Sequence, residues 1–290
     1  MRKILTLLIF CAAILAWTAA ARAEGVWRLD GSNANELPRN FRIDEELKAS
    51  GAGQPSLAGL KLLYENLRER TGGKIYMVDV RQESHGFFNG YPASYYVEKN
   101  LANYFLLNDG IEDIEIEQLN DALDRQIELV PLGNFDKAHF QPVNLFVTEV
   151  LSERQVAENL GFEYIRLGGT DMLFPSPDVV DAFIQFVANI EDDAWFHVHC
   201  QAGQGRTTLF LVMYDILKNP DKSLSEICER QKMLGGSDLL TRRVGDPKDY
   251  YVQAHNDRAE KLIEFFFYVR GTQREEIGLP WSEYILTRGR

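Results

Sequence analysis

Cysteine, histidine and basic side chains are scarce in this 290-residue chain. It has three cysteines and five histidines, and its 31 lysines and arginines are outnumbered by 43 acidic residues, for a formal net charge of −12. So few cysteines do not make a disulfide framework. The acidic excess disfavours non-specific binding to nucleic acid or to an anionic membrane. A polyanionic ligand would therefore have to meet a local pocket of basic groups.

The first 23 residues contain the longest apolar segment of the N-terminal region, and it is short for a membrane span. A basic start precedes this segment, which covers residues 4–15, and residues 21–23 form a small-x-small cleavage site. The pattern predicts a signal peptide cleaved after Ala23, with a retained N-terminal anchor as the alternative. We therefore expect a secreted or periplasmic protein of residues 24–290, without stable membrane insertion after cleavage.

Apolar strands alternate with amphipathic helices through the second half of the chain. This alternation predicts an α/β domain whose central, largely parallel sheet is flanked by helices. Residues 100–147 fit the pattern poorly. For them we expect a small inserted β-rich subdomain with a strand at 127–130. The predicted strands cover 75–80, 162–167 and 194–198, and the predicted helices cover 57–70, 176–187, 223–233 and 254–269.

The most informative stretch follows the strand at 194–198 and reads His199-Cys200-Gln201-Ala202-Gly203-Gln204-Gly205-Arg206-Thr207-Thr208. Its glycines let the backbone turn sharply and let a ligand approach closely. Successive N–H groups that open onto a helix N-terminus suit a phosphate-like dianion. Arg206 adds a planar fork for two phosphate oxygens, and the same positive field favours a thiolate at Cys200. The pattern predicts a cysteine nucleophile placed against phosphorus.

Two further side chains complete this predicted chemistry. Thr207 is placed to donate a hydrogen bond to the thiolate, although a helix-start hydroxyl would have the same position. Asp171 follows a predicted strand on a polar loop, and we expect it to protonate the leaving group, with a structural turn role as the alternative. Asp178 is better explained as an acid in the first turn of a helix.

The histidines and carboxylates do not show a metal-ligand spacing, so we predict neither a metal nor another cofactor. His199 precedes the nucleophile and is a candidate for orienting the loop. A buried, hydrogen-bonded core histidine is equally compatible with that position. His197 is expected to be structural.

These residues resemble the protein-tyrosine-phosphatase-like phytases, also called cysteine phytases. The resemblance rests on the loop and extends to residues 40–42, 78–86, 170–175 and, more loosely, 280–282. It implies a cysteine-phosphatase fold with a small added β domain. It also implies stepwise hydrolysis of inositol polyphosphates, as small polyanionic phosphate esters, through a phosphocysteine.

The same resemblance implies a set of substrate contacts. They are the loop residues Gln201, Ala202, Gly203, Gln204 and Gly205, together with Arg42, His85 and Lys248. The chain departs from the family pattern at Gln201, where similar phytases often have Glu, and at Met172, where they often have His. Preference for the fully phosphorylated inositol is thus less strongly indicated than the catalytic chemistry.

Other functions stay open at this point. A protein-tyrosine or phosphoinositide phosphatase would use the same mechanism. From a different class, Cys200 and Cys228 would form a thiol-disulfide redox pair, and a non-catalytic phosphate-binding module is a third alternative. Arg206 and the glycines count against the redox pair. The oligomeric state is not predicted by these residues.

Overall fold

The computed structural model describes residues 25–104, 106, 108–275 and 277–288. The strands are β1 Val26–Leu29, β2 Arg42–Asp44, β3 Ala49–Ala52, β4 Ile75–Arg81, β5 His85–Phe88, β6 Tyr91–Tyr96, β7 Gln126–Leu129, β8 Val143–Phe146, β9 Val150–Ser152, β10 Glu163–Gly169 and β11 Trp195–His199. The helices are α1 Leu57–Arg68, α2 Asn108–Ala122, α3 Asn134–His139, α4 Glu153–Leu160, α5 Pro177–Asn189, α6 Gly205–Lys218, α7 Leu224–Met233, α8 Tyr250–Gln273 and α9 Trp281–Arg288, with a 3-10 turn at Glu98–Asn100.

The central sheet has the strand order β10-β4-β11-β3-β2. Strands β10, β4, β11 and β3 are parallel, and β2 pairs antiparallel with β3 at one edge. This confirms the predicted largely parallel sheet. Because parallel strands end at the same edge of a sheet, the residues after β3, β4, β10 and β11 meet there.

Alternating side chains of β11 explain why helices cover both faces of this sheet. Phe196 and Val198 pack into the core beneath α5 and α6, whereas Trp195 packs into the core beneath α1. Strand β4 alternates in the same way, and every residue of β11 is buried. A strand buried on both faces carries apolar side chains on both, as Trp195, Phe196 and Val198 do here, and this apolar segment is the signal that predicted the strand.

Two helices begin with side-chain caps, and one of them ends at a glycine. The Ser152 side chain accepts a hydrogen bond from the Gln155 N–H, and α4 ends at Gly161 with φ of 102°. Ser223 and Glu226 form a capping box at the start of α7. These side chains bond backbone N–H groups that a helix start leaves free.

A second, antiparallel sheet has the order β1-β6-β5-β9. Its strands come from separate parts of the chain, and none lies within 100–147. The described part of 100–147 instead contains α2, the short α3 and the two-stranded β7–β8 pair. The predicted strand at 127–130 is present as β7, but the expectation of a β-rich insertion confined to this segment is corrected.

Among the residues that the structure describes, no helix is both long and apolar enough to cross a membrane. The predicted signal peptide, residues 1–23, lies outside the described residues.

Candidate active site

The phosphate loop, residues 200–206, joins β11 to α6 at the centre of the sheet edge. Strand β11 lies between β4 and β3, so the loop starts where three strand ends converge. Gly203 has φ of 71°, and a Cβ at this position would collide with the backbone of Ala52 and Gly53. Glycine is therefore required there for both its conformation and its lack of a side chain.

The carbonyl groups of the phosphate loop are bonded from outside the loop. Gln201 O accepts from the Gln54 N–H at 3.0 Å, and Ala202 O accepts from Asn40 Nδ2 at 2.7 Å. Gly203 O accepts from Arg42 Nη1 at 2.6 Å. Because the C=O and N–H of a trans peptide unit point in opposite directions, the following N–H groups face the inside of the loop. This is the concavity predicted for a phosphate group.

Cys200 lies at the floor of the loop and is 3% exposed. Burial alone would raise the pKa of its thiol. The charge of Arg206 and hydrogen bonds from Thr207 outweigh burial, and the pKa of Cys200 is lowered. Thr207 Oγ1 donates to Cys200 Sγ at 3.1 Å. The thiolate form that nucleophilic attack requires is thus favoured.

Arg206 is buried and held by Glu83 through a two-pronged ion pair. Nη1 donates to Oε2 of Glu83 at 2.6 Å and Nη2 donates to Oε1 at 2.9 Å. Burial lowers the pKa of Arg206, but Glu83 and Asp171 raise it well above its ordinary value. Glu83 is fully buried and also accepts from Arg81 Nε at 3.0 Å. The orientation of the Arg206 guanidinium is therefore fixed before a ligand binds.

Asp171 lies beside Arg206 at the end of β10. Its Oδ1 is 3.4 Å from Arg206 Nε, and its Oδ2 accepts from Asn100 Nδ2 at 3.3 Å. The side chain is 36% exposed, so the carboxyl group reaches solvent. The structure thus brings Asp171 to the phosphate loop, and its role as proton donor stays a prediction. Asp178 lies in the first turn of α5, as expected.

Arg42 does not have the contacts predicted for a substrate ligand. Its Nη2 donates to Thr208 Oγ1 at 3.1 Å, while Nη1 holds the Gly203 carbonyl described above. Burial lowers its pKa to about 10 although the charge of Cys200 opposes this shift. Both terminal nitrogens are bound to the loop and to α6. The substrate contact expected for Arg42 is therefore corrected to a role in holding the loop.

His85 is also placed differently from the prediction. It is fully buried on β5, with Nε2 3.1 Å from Glu153 Oε2 and 3.4 Å from Asp79 Oδ2. Burial and the charge of Arg81 lower its pKa, but the negative charges of Asp79 and Glu115 outweigh them, so the pKa of His85 is raised. A side chain enclosed in this way does not reach a ligand in the phosphate loop. His85 instead joins the second sheet to the network beneath the loop.

His199 belongs to the same buried network, with Nε2 3.0 Å from Glu153 Oε2. Glu153 thus contacts both His85 and His199, and its Oε1 accepts from Gln54 Nε2 at 2.6 Å. Because the Gln54 N–H also holds Gln201 O, this network supports the loop from below. The two predictions for His199, a loop-orienting residue and a buried core residue, describe one position. His197 bonds Ser50 Oγ through Nδ1 at 2.8 Å and is structural, as expected.

Three side chains of this network, Asp79, His85 and Glu153, have ligand atoms close enough to hold a metal ion. Tyr164 donates to Asp79 at 2.8 Å, and Arg166 Nε lies 3.3 Å from the same oxygen. These donors and Gln54 already occupy the carboxylate oxygens. The geometry is that of a charge-compensated hydrogen-bond network.

The remaining predicted contacts lie around the rim. Gln201 Nε2 donates to Asp136 Oδ2 at 3.3 Å, and Gln204 Oε1 accepts from Ser237 Oγ at 3.0 Å. Lys248 is exposed in the segment before α8, where its N–H donates to Asp246 at 2.8 Å. A substrate contact for the Lys248 side chain stays a prediction.

Comparison with known proteins agrees with this geometry. The family model for PTP-like phytases, with inositol hexakisphosphate in its description, matches residues 78–218. The structure of a PTP-like phytase from Bdellovibrio bacteriovorus is 30% identical in sequence and has a TM-score of 0.76, and the match covers 91% of this chain and 95% of that one. The chain belongs to the PTP-like phytase family. The cysteine-phosphatase fold implied by the sequence resemblance is thereby confirmed.

Two other similar proteins are longer than this chain. The PTP-like myo-inositol phosphatase from Mitsuokella multacida, solved in complex with myo-inositol-(1,3,4,5)-tetrakisphosphate, is 29% identical with a TM-score of 0.83, and the match covers 94% of this chain and 52% of that one. Effector protein hopD2 of Pseudomonas syringae pv. tomato is 29% identical over 217 residues, which are 73% of this chain and 46% of that protein. The PTP-like phytase chain described here thus spans about half the length of these two relatives.

Sequence reasoning missed several residues near the site, among them Glu83, Asn100 and Arg258. Glu83 was visible only as one of several polar groups after a buried strand. Asn100, which contacts Asp171, lies in the segment whose pattern was unclear. Arg258 lies on α8, where the spacing of Ala254, Arg258 and Leu262 places it on the buried face. A cation on an apolar helix face was the available signal.

Proposed function

We propose that this chain hydrolyses inositol polyphosphates through a phosphocysteine intermediate. In the first step the Cys200 thiolate attacks phosphorus, the ester P–O bond breaks, and Asp171 gives its proton to the leaving alkoxide. In the second step water attacks the phosphocysteine and gives a proton to Asp171. The S–P bond breaks, inorganic phosphate leaves, and the thiolate is restored with a hydrogen bond from Thr207.

The surroundings of Cys200 carry this proposal. A thiol with a lowered pKa lies at the floor of a loop whose carbonyl groups at 201, 202 and 203 are all bonded from outside. A non-catalytic phosphate-binding module would need the inward N–H groups but not an ionised thiol. The combination of both favours phosphoryl transfer to sulfur.

Arg206 supplies the charge that the transferred phosphoryl group needs. Each terminal nitrogen of Arg206 donates one hydrogen bond to Glu83, and the Nε–H group has no hydrogen-bond partner. Nε and the second Nη2 hydrogen are therefore left as a parallel pair of donors for two phosphoryl oxygens. Because Glu83 fixes the guanidinium, little reorganisation accompanies the reaction.

The redox alternative is disfavoured by the position of Cys228. This thiol lies on α7 and is nearly buried, and both cysteines are free. Burial raises the pKa of Cys228 to about 12, so its thiolate is rare at neutral pH. Exchange between the two sulfurs requires a thiolate, and Cys228 is poorly suited to resolve a disulfide with Cys200.

A substrate panel tests the proposal. Phosphate release would be measured with inositol hexakisphosphate, lower inositol phosphates, a water-soluble phosphoinositide and a phosphotyrosine peptide. We expect the inositol polyphosphates to give the highest kcat/KM, and Cys200→Ser, which keeps the loop, to give none. A clear preference for the peptide or the phosphoinositide would assign the rival substrate class to the same chemistry. Turnover by Cys200→Ser would refute the mechanism.

We also propose that the protein is exported, on the pattern of residues 1–23. Expression of the full chain in a Gram-negative host, followed by N-terminal sequencing of the periplasmic fraction, would test this. We expect a mature N-terminus at Glu24. Full-length protein held in the membrane fraction would instead support the retained anchor.

A further inference from the structure

The connection that follows β6, residues 97–103, lies beside the proposed proton donor Asp171. Lys99, Asn100 and Asn103 of this connection have φ of 60°, 58° and 63°. Few residues other than glycine adopt this left-handed conformation, because it brings Cβ close to the backbone. Such backbone strain persists only where the surrounding structure holds it, and it is concentrated at functional sites. Three such residues within five positions therefore require an explanation.

Asn103 fixes this connection to the end of β4. Its Nδ2 donates to Gln82 O at 3.1 Å and to Ser84 Oγ at 2.9 Å, and its carbonyl oxygen accepts from Gln82 Nε2 at 2.8 Å. Gln82 Oε1 in turn accepts from Thr170 Oγ1 at 2.5 Å. Because Thr170 directly precedes Asp171, the connection and the proton donor are held to the same strand end.

Asn100 brings this connection into contact with Asp171 itself. It is 3% exposed, and its Nδ2 donates to Asp171 Oδ2 at 3.3 Å. The other oxygen of Asp171, Oδ1, accepts from the Met172 N–H at 3.1 Å and lies 3.4 Å from Arg206 Nε. The proposed function assigns Arg206 Nε to a phosphoryl oxygen. Once a substrate takes that donor, Asn100 is the side chain that still holds the carboxyl group.

Asn100 contributes little to the fold apart from this contact. Its backbone is left-handed, and its Oδ1 is buried without a hydrogen-bond partner among the described residues. A buried polar atom without a partner costs free energy, and so does backbone strain. The bond to Asp171 is what the side chain provides in return. The position is therefore better explained by its effect on Asp171 than by the stability of the fold.

This hydrogen bond decides which oxygen of Asp171 carries the proton. The Nδ2 group only donates, so Oδ2 has to accept and is the carbonyl oxygen of the protonated carboxyl group. The proton then lies on Oδ1, the oxygen beside Arg206 and therefore beside the phosphate loop. The bond to Oδ2 persists when Asp171 is ionised, because a carboxylate oxygen also accepts hydrogen bonds.

We propose that Asn100 is a positioning residue, which fixes Oδ2 of Asp171 and thereby directs the transferred proton to Oδ1. This inference rests on the proposed function, in which Asp171 gives a proton to the leaving alkoxide and later takes one from water. In the first step the Oδ1–H bond breaks and the proton goes to the ester oxygen as its bond to phosphorus breaks. In the second step a proton of the attacking water returns to Oδ1. Asn100 neither gains nor loses a proton.

The dependence on the leaving group separates this role from support of the fold. Asn100→Gly keeps the left-handed backbone and removes the amide. The value of kcat/KM reports transition-state stabilisation from free enzyme and substrate. For inositol hexakisphosphate it should fall by about 10-fold, since a misplaced acid loses part of its contribution of about 10²–10⁴-fold. For p-nitrophenyl phosphate, whose leaving group hardly needs a proton, it should change by less than about 2-fold. Urea unfolding should stay close to that of wild type.

Asn100→Asp tests the direction of the hydrogen bond. It keeps the size of the side chain and its tolerance of a left-handed backbone, but it replaces the donor near Oδ2 with a second carboxyl group. Two carboxyl groups this close do not both ionise readily, so they share one proton, which then lies between them and not on Oδ1. For hexakisphosphate we expect a lower maximum of kcat/KM and an alkaline limb moved up by about one pH unit. The alkaline limb for p-nitrophenyl phosphate should stay in place.

Lys99→Gly is the matched control. Lys99 has the same left-handed backbone, but its Nζ lies over the ring of Tyr250, 4.9 Å from the centroid. We expect the ratio of kcat/KM for the two substrates to remain that of wild type. A change as large as that of Asn100→Gly would mean that the conformation of the connection, and not the amide, explains the effect, and would overturn the proposal.

A double-mutant cycle with Asp171→Asn judges the remaining outcomes. If Asn100 acts through Asp171, the double variant should lose no more hexakisphosphate activity than Asp171→Asn alone. Additive losses would overturn the proposal, as would equal losses on both substrates in Asn100→Gly. If Asn100→Gly does not fold, the pH profile of Asn100→Asp decides. A selective loss in Asp171→Asn without one in Asn100→Gly refutes this inference alone, whereas equal losses in Asp171→Asn refute the proton donor of the proposed function as well.

Discussion

Replacement of Glu83 by glutamine is the sharpest test of how the fold prepares Arg206. Glu83 is fully buried and accepts two hydrogen bonds from Arg206 and one from Arg81, with Arg28 Nη2 at 3.6 Å. Glutamine keeps the volume and one acceptor. It removes the charge and turns an NH₂ group toward guanidinium donors. Two nearby carboxylates then remain, Asp30 at 2.8 Å from Arg81 and the partly exposed Asp171 at 3.4 Å from Arg206 Nε.

The magnitude follows from breaking a buried ion pair. Removal of one partner typically costs about 3–5 kcal/mol because the other charge stays buried and unpaired. This is a large part of the about 5–15 kcal/mol that stabilises an ordinary domain. An Arg206 side chain displaced by about 1 Å should also lower kcat/KM by about 100-fold. We expect both effects in Glu83→Gln.

Urea unfolding and steady-state hydrolysis of p-nitrophenyl phosphate would measure the two effects. The control is Glu158→Gln, which removes an exposed partner of Arg154 and should change stability by less than about 0.5 kcal/mol. The pKa of Glu83 is lowered well below its ordinary value: burial raises it, but Arg206 and Arg81 outweigh burial. Its stabilisation is therefore complete above the unfolded pKa of about 4.3 and is lost as the pH falls toward the folded value. A stability loss below about 1 kcal/mol at pH 7, with kcat/KM within a few-fold of wild type, would refute this reasoning.

Three further predictions concern single side chains. Arg206→Lys should lose at least about 100-fold in kcat/KM, because an ammonium group cannot form the planar pair of donors. Steady-state kinetics would measure this, and a loss of only a few-fold would show that Arg206 does not stabilise the transition state. Asp171→Asn should slow inositol phosphate hydrolysis by about 10²–10⁴-fold but p-nitrophenyl phosphate less, since that leaving group hardly needs a proton; equal losses would indicate a structural role. Burial lowers the pKa of His197 to about 3. The unfolded chain therefore binds a proton that the folded protein does not, and wild type should lose stability as the pH falls from about 6.5 toward 3. In urea unfolding at each pH, this loss should exceed that of His197→Gln by up to about 1.4 kcal/mol per pH unit. The exposed His139→Gln should keep the wild-type slope, and parallel curves for all three proteins would contradict the assignment.

The central sheet and the phosphate loop could be predicted because their signals are local. Strands β4, β10 and β11 are rich in apolar residues, and the candidate nucleophile Cys200 lies only six positions before Arg206. Capping residues such as Ser152 mark helix ends by bonds to residues three positions away. Such interactions join residues that lie close together in the chain, so a single sequence is enough to predict them.

The second sheet could not be predicted in the same way. Its strands have three to six residues, and β1 pairs with β6 about 70 positions later, with Val26 opposite Tyr96. Such short strands have little periodicity, and their pairing is decided by tertiary contacts. The error for His85 has the same origin. The polar residues after β4 were visible, but the pairing of β5 decides that Glu83, and not His85, contacts Arg206.

The charges beneath the loop explain how an acidic chain makes a site for a polyanion. Arg28, Arg81 and Arg206 share two fully buried carboxylates, Asp30 and Glu83, in one connected network, and the partly exposed Asp171 lies 3.4 Å from Arg206 Nε. When Asp171 is protonated, as the first step of the proposed mechanism requires, the network carries one surplus positive charge. Glu83 contacts Arg206 from one side only, so the surplus lies at the end of the network that faces the loop.

Two further cations add to this surplus. Arg42 and Arg258 are buried against the loop, and no carboxylate among the described residues lies at ion-pair distance from either. The net charge of −12 comes from acidic side chains that are mostly exposed, whose fields are screened by salt within about 10 Å. The buried arginines are screened much less, and they act at short distances around the phosphate loop. A polyphosphate is thus attracted by a local field that the acidic surface does not cancel. Because that field is built from buried arginines on β2, β4, α6 and α8, it depends on the whole fold and not on the phosphate loop alone.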